Sequence, residues 1–323
     1  MTTSIPQVAS ESTIVTLTMN PALDITTSTS VVVPTEKMRC SAARYDPGGG
    51  GINVARIAQV LGASASAVFP AGGWTGDLVA ALLGRELPLR RIRIAGQTRE
   101  SITVNEDSTG RQYRFVLPGP PVSFAEQVEC LDQLRTAAAS AEFVVASGSL
   151  PSNVHPDFYQ RVAVICRERG ARLILDTSGG GLRHITHGVF LLKPSVRELR
   201  ECVGRELRSE SDQLAAAQEL IERGCAENVV VSLGSAGALL VTPRHAHRYP
   251  AVPVPNGSGV GAGDAMVAAM AVGLGRGWPF DKAIRLGIAA GAAMLMTPGT
   301  APCSRADVER LFEIAPEPTE IWL

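Results

Sequence analysis

"SGVGAGDAMVAAM" (residues 258–270) is the stretch on which the reading of this chain turns. Small residues lead to one aspartate, Asp264, and an apolar run follows. One reading is a plain helix start. Aspartate is a favoured N-cap, and its charge suits the positive end of the helix dipole. The other is a phosphate cradle, because glycines bring backbone N–H groups close to an anion at a helix N-terminus. Asp264 would then stand beside the anion and act on its neighbour.

Outward from there, β-rich runs alternate with amphipathic ones. "TIVTLT" (13–18), "SAVFPA" (66–71), "FVVAS" (143–147), "RLILD" (172–176), "VFLLK" (189–193) and "NVVVSLG" (228–234) read as strands. Their apolar residues do not alternate with polar ones, which marks strands covered on both faces. "INVARIAQVLG" (52–62) and "TGDLVAALLG" (75–84) have helical spacing and end in glycine; further helices are expected through 157–169 and 211–224. The fold class is therefore α/β, a doubly wound, mostly parallel sheet between helix layers. "AMVAAMAVGLGRG" (265–277) and "DKAIRLGIAAGAAMLM" (281–296) read as two packed helices of small residues.

Two stretches, 25–46 and 99–117, break this rhythm. The first is β-prone with no helix between its strands. The second reads as a hairpin, "ITVNE" and "RQYRFV" flanking the turn "DSTG". Together they are expected to form a small antiparallel sheet standing off the main one. It is either a decorated edge or a lid over a site at the carboxyl ends of the parallel strands. Residues 1–12 are expected to be a disordered lead-in, and 13–323 one domain.

Composition narrows the function. With 45% hydrophobic and 19% charged residues, the 323-residue chain reads as a globular protein with a large core. A net charge of −1 gives no global field to recruit nucleic acid or an anionic membrane. No uninterrupted apolar stretch is long enough to span a bilayer, and the start of the chain lacks the pattern of a signal peptide. The six cysteines are scattered with no C-x-x-C pair, so they read as reduced residues of a cytoplasmic protein. His184 and His187 are spaced i, i+3, but no cysteine or carboxylate pair stands near them to complete a metal site. There is no P-loop motif. Gly257, Gly259 and Ala262 match the looser dinucleotide fingerprint, but no parallel βαβ unit follows them.

A second unusual stretch is "DPGGGGINVA" (46–55). Four consecutive glycines cost roughly 0.5–1 kcal/mol each to order relative to alanine. The run reads as a hinge that lets a ligand meet bare backbone at Gly49 and Gly50. Asn53 either aims its amide at a ligand hydroxyl or is a simple N-cap. Asp24, in "NPALD" just after the first strand, suits a pair of sugar hydroxyls or an Asx turn. "LLKPSVREL" (191–199) sets Lys193 at a strand end as a point charge for phosphate, and Glu198 where a carboxylate can orient magnesium through water. "VSLGSAGAL" (231–239) is a tight turn whose Ser232, Gly234 and Gly237 would let a flat ring lie on backbone.

Taken together, these stretches resemble the ribokinase-like sugar kinases of the PfkB family. The resemblance runs from residue 13 to about 313 and is carried by "GGGINVARIAQVLG" (49–62) with Gly72, and by "VGAGDAMVAAMA" (260–271). It is nearest to the family's 6-phosphofructokinase branch. It implies ATP-dependent phosphorylation of a ketohexose phosphate, fructose 6-phosphate first. Tagatose 6-phosphate and fructose 1-phosphate are the alternatives, and a sugar-phosphate binding protein without turnover is the rival of another class. By the resemblance, Asp264 is the catalytic base and Gly261, Ala262 and Gly263 the anion hole. Asp24, Gly49, Gly50 and Asn53 bind the sugar, Arg99 grips its phosphate, and Ser149 lies in a substrate-side loop. Lys193, Ser195, Ser232, Gly234, Gly237 and Gly259 fall on the nucleotide side, with Glu198 on the magnesium side. The resemblance also implies a homodimer through the lid, with Lys37 crossing to the partner's substrate, and leaves room for a monovalent cation. Two positions depart from the family pattern. Ser195 stands where asparagine opens the family's Asn-x-x-Glu motif, and Gly259 where a small polar residue is usual.

Overall fold

The unalternating apolar runs become the middle of a ten-stranded sheet. The computed structural model describes residues 13–84, 87–255, 259–297, 299 and 301–321, so the lead-in and Gly257 lie outside the described residues. In chain order the first half comprises β1 (Thr13–Leu17), β2 (Ala22–Thr29), β3 (Arg44–Gly48), α1 (Gly50–Val60), β4 (Ser64–Ala71), α2 (Gly73–Leu82), β5 (Leu89–Arg93), β6 (Arg99–Glu106), β7 (Gln112–Val116), α3 (Phe124–Ala138) and β8 (Phe143–Ser147). The second half comprises α4 (Phe158–Arg169), β9 (Arg172–Asp176), α5 (Gly180–Arg183), β10 (Val189–Leu192), α6 (Val196–Val203), α7 (Glu210–Glu222), β11 (Ala226–Ser232), β12 (Ala238–Val241), β13 (Ala246–Tyr249), α8 (Ala262–Gly275), α9 (Phe280–Leu295), α10 (Arg305–Glu313) and β14 (Thr319–Ile321).

The sheet order is β14-β13-β12-β11-β10-β9-β8-β1-β4-β5. Every pairing from β11 to β5 is parallel, and those from β11 out to β14 are antiparallel. The period of two sends alternate residues to opposite faces. Ile14, Val145 and Ile174 pack with α1, α8 and α9, whereas Val15, Val144 and Leu173 pack with α3 and α4. Parallel strands buried in this way put their carboxyl ends on one rim, where open α/β sheets bind ligands.

The small-residue helices α8 and α9 pack as expected, and their contact explains the composition. A Cβ added at Gly287 would lie 2.9 Å from Met270 Cγ, and one at Gly273 would lie 3.0 Å from Ala283 Cα. Larger residues would push the helices apart.

The two excursions form a second sheet, in the order β3-β2-β6-β7. Its outer pairings are antiparallel as expected, and the hairpin falls at β6 and β7. Its central pairing differs from the expectation: β2 and β6 run parallel, from Ala22 opposite Arg99 to Thr29 opposite Glu106. The reason is topological. β2 follows β1 and β6 follows β5, and both parent strands leave the main sheet in the same direction. The first excursion is strand only at its ends; residues 30–43 form none.

Candidate active site

Three adjacent strands bring polar side chains to the rim. β8 ends at Ser147, β9 ends at Asp176, and Lys193 follows β10. Lys193 Nζ lies 3.2 Å from Asp176 Oδ1 and is 4% exposed. Burial works against its charge, but the carboxylates of Asp176 and Glu198 more than offset this and hold its pKa above the ordinary value. The start of α8 faces the same spot, since a Cβ at Gly263 would lie 3.8 Å from Lys193 Nζ. A lysine ammonium and a helix N-terminus converge there, which is the electrostatic pattern of an anion site.

Asp264 is the third residue of α8 and does not cap it; Gly261, at φ 77°, is the N-cap. The carboxylate is turned to other work. Its Oδ2 accepts from Asn53 Nδ2 at 3.0 Å, and its Oδ1 from Ser147 Oγ at 3.3 Å. Burial, reinforced by the negative charge of Asp176, pushes its pKa up to about 7, while Asn53, Lys193 and Ser147 pull the other way. A carboxyl group that titrates near neutrality is suited to taking and giving protons. Asn53 is likewise no cap. Gly49 caps α1, and Asn53 is the fourth helical residue, its Oδ1 buried with no partner among the described residues.

The glycine run is explained mainly by the protein's own packing. A Cβ at Gly48 would meet Asp24 Oδ2 at 2.3 Å, one at Gly50 Ser147 Oγ at 2.2 Å, and one at Gly51 Leu17 O at 2.6 Å. Bare backbone is needed to admit these groups, whatever else binds there. On the same side, Arg99 donates to Asn20 O at 3.2 Å and to Leu117 O at 3.5 Å, while its Nε is buried without a partner among the described residues. Burial lowers the pKa of Arg99, and the charge of Asp24 opposes that shift. Asn20 Nδ2 donates to Ser149 Oγ at 3.2 Å, so Arg99, Asn20 and Ser149 form one connected group. Lys37 stands apart, exposed in the 30–43 segment, with no hydrogen bond or ion pair among the described residues.

On the other flank, Ser195 forms a parallel bridge with Ser232, and Ser232 N donates to Pro194 O at 2.9 Å. Gly234 opens a single helical turn and Gly237 closes it; a Cβ at Gly237 would sit 2.0 Å from Tyr249 O. Gly259 lies next to the α8 start, its carbonyl 3.4 Å from Ala262 N. The Ser195 departure has a structural role. Ser195 and Glu198 form the capping box of α6: Glu198 Oε2 accepts from Ser195 N and Oγ, each at 2.8 Å, and Glu198 N donates to Ser195 Oγ at 3.3 Å. Among the described residues, Glu198 Oε1 keeps only a 3.9 Å contact with Arg197. Among the described residues no three His, Cys, Asp or Glu side chains gather as a metal cage. One open carboxylate oxygen still fits magnesium, which commonly keeps its waters and takes one or two carboxylates plus substrate phosphates.

Sequence reasoning brings together Asp264, Asn53, Lys193 and the 195–198 and 232–237 turns, as the structure does. It missed Ser147, Asp176 and Asn20. The signal for the first two was present, since each is the polar residue that ends an apolar parallel strand.

The fold and the groups at its rim together define the class, a ribokinase-like kinase. The chain belongs to the pfkB family of carbohydrate kinases, whose sequence model matches residues 15–307. It is 69% identical over 309 residues to an ATP-dependent 6-phosphofructokinase isozyme 2 of Mycobacterium tuberculosis, covering 95% of this chain and 91% of the relative. The crystal structure of Escherichia coli phosphofructokinase-2 with potassium aligns at a TM-score of 0.89, with 39% identity, over 93% of this chain and 98% of that one. The same enzyme with fructose-6-phosphate aligns at 0.87, with 38% identity, over 94% and 98%. No helix among the described residues is long and apolar enough to cross a membrane, and the cysteines are free, all but Cys40 and Cys202 being buried.

Proposed function

We propose that this chain is an ATP-dependent 6-phosphofructokinase that transfers the γ-phosphoryl group of ATP to the O1 hydroxyl of fructose 6-phosphate. The observation that carries the reading is Asp264. Its pKa is lifted to about 7, and it lies beside Asn53, Ser147 and the Lys193 end of α8. The similarity to a 6-phosphofructokinase at 69% identity supports the choice of substrate.

In this reading Asp264 accepts the O1 proton as O1 bonds to the γ-phosphorus. The bond from that phosphorus to the β–γ bridging oxygen breaks, and its electron pair leaves with ADP. General-base assistance of this kind contributes roughly 10²–10⁴-fold. The N–H groups at 261–263, at the start of α8, and the Lys193 ammonium meet the charge on the transferring oxygens. Asn53 Oδ1 and Asp24 accept from sugar hydroxyls, and Arg99 holds the phosphate already on the sugar. Magnesium, held through water by Glu198, would supply neutralising charge to the nucleotide's phosphates. The nucleotide base lies against the turns at 195 and 232–237, with Gly259 at the phosphate end. A monovalent cation belongs to the reading as well, in line with the potassium complex of the Escherichia coli relative. The small sheet is the lid, and its apolar face pairs with a second copy, bringing Lys37 to the other subunit's substrate.

The test is ADP release, coupled to a reporter, against fructose 6-phosphate, tagatose 6-phosphate, fructose 1-phosphate and fructose. Fructose 6-phosphate is expected to give the highest kcat/KM. A clear preference for another sugar overturns the substrate, and no release with any of them overturns the kinase reading.

A further inference from the structure

The two oxygens of Asp264 have unlike partners. Asn53, on Oδ2, still has a buried Oδ1 with no partner among the described residues, so its amide can turn part of its hydrogen bonding to a ligand. Ser147, on Oδ1, has no such freedom. It ends β8, is 2% exposed, and its Oγ fills the space that a Cβ on Gly50 would take. Its backbone is fixed by pairing with Asp176 in the parallel sheet.

We infer that Ser147 is a positioning residue for phosphoryl transfer: its hydroxyl pins Oδ1 of Asp264 and leaves Oδ2 to take the proton of the acceptor hydroxyl. The inference rests on the proposed reading of Asp264 as the base. It adds a residue that does not itself touch the reacting atoms.

The groups facing Asp264 are few. β9 presents Asp176, and the turn after β10 presents Lys193, with Glu198 of α6 acting on that pair. α1 presents neutral Asn53, β1 carries no charged residue, and the neighbour from α9 at the helix start is Met294. Ser147 is therefore a neutral donor, and its removal changes the proton affinity of Asp264 without altering any formal charge. A hydrogen bond to a carboxylate favours the charged form, so losing it makes Asp264 harder to deprotonate.

The experiment measures kcat/KM for fructose 6-phosphate against pH, at saturating ATP and magnesium, for the parent, Ser147→Ala and Ser147→Cys. Cysteine keeps the shape of serine, with a larger sulfur in place of the oxygen, but is a weak donor. In both variants the acid limb is expected to move up by about one pH unit relative to the parent, a loss of about tenfold at pH 6.5, with the KM for ATP unchanged. The titration of the substrate's own phosphate is common to all three proteins and cancels in the comparison. An unmoved limb in both variants overturns the inference, and so does a parent-like Ser147→Cys beside a shifted Ser147→Ala, which would make the role space-filling. Asp264→Asn, run alongside, separates the two claims: if it keeps parent turnover, the base reading itself has failed.

Discussion

At the carboxyl ends of β8, β9 and β10, the polar groups are buried and bonded to one another. Ser147 and Lys193 are 2% and 4% exposed, and Asp264 spends both of its oxygens on protein donors. The small sheet is the reverse. Its register aligns Tyr45, Ile25, Ile102 and Phe115 in a row across all four strands, so these side chains share a face. Tyr45 and Phe115, at the ends of that row, are 46% and 55% exposed. The neighbouring row, Asp46, Asp24 and Ser101, lies on the opposite face, where Asp46 and Ser101 are buried. One region turns its polar groups inward and bonds most of them to one another, with Asn53 Oδ1 left open; the other leaves Tyr45 and Phe115 uncovered. The first holds Asp264, Lys193 and the start of α8 together within one chain, and the second presents a surface that another protein can cover.

The largest expected effect tests the first region. Asp264→Asn keeps the size and removes the base, so kcat is expected to fall by at least about a hundredfold, with nucleotide affinity retained. The same variant carries a stability signature. The folded pKa of Asp264 is raised from 3.8 to about 7. The native state therefore holds the proton more tightly than the unfolded chain does. That contribution is fully present below about pH 4 and is lost as pH rises through about 7. Asparagine has no proton to lose, so the variant is expected to be more stable than the parent at pH 8, by on the order of 2 kcal/mol. Urea unfolding at pH 8 and pH 5 would show the gap closing at the lower pH. A gap that does not change with pH would mean that the carboxyl is not held protonated as described.

Much of the first region was legible in the sequence, because its strands and helices follow local rules. "FVVAS", "RLILD", "VFLLK" and "NVVVS" each end an apolar run on a polar residue, and those residues are Ser147, Asp176, Lys193 and Ser232. Reading the pattern as a set would have found the two that were missed. The bonds of Asp264 were not legible, since Asn53 and Ser147 lie 211 and 117 residues away and only packing of α1 and β8 against α8 unites them. The four glycines suggested a ligand surface, yet the groups that require them belong to Asp24, Thr18, Ser147 and Leu17. Ser195 looked like a defect in a family motif; the S-x-x-E spacing, read on its own, is a capping box. The parallel centre of the small sheet was hidden for a different reason. It follows from the direction in which two distant strands leave the main sheet, which no local pattern records.

Arg99 stands where the two regions meet. It begins β6 in the small sheet, and its guanidinium donates to carbonyls at Asn20 and Leu117. Arg99→Ala is expected to raise the KM for fructose 6-phosphate about 10- to 100-fold, the scale of one or two hydrogen bonds between charged partners. The KM for ATP is expected to stay within about twofold. Steady-state kinetics with each substrate varied in turn would decide. If both KM values rise together, Arg99 serves the fold of the rim instead of the sugar's phosphate.

The smallest expected effect on catalysis, and the sharpest test of the contrast, concerns the row of Tyr45, Ile25, Ile102 and Phe115. Exposed aromatic side chains such as Tyr45 and Phe115 are held in water only at a cost, and apolar patches of this kind are commonly covered by another protein surface. A second copy of this chain satisfies the requirement, since a two-fold axis presents the same row to itself and is the commonest closed arrangement. Phe115→Asp would set like charges against each other across that axis and is expected to turn a dimer into a monomer by light scattering. If Lys37 reaches the substrate of the other subunit, the monomer should bind fructose 6-phosphate several-fold more weakly while ATP binding is kept. Lys37→Ala should reproduce that loss without changing the mass. A parent protein that is monomeric and fully active at assay concentration would break the argument, and the exposed row would then need another partner. A Phe115→Asp monomer with unchanged KM would keep the interface but remove Lys37 from the site. The two measurements together therefore separate the covering of an apolar face from the completion of a catalytic one.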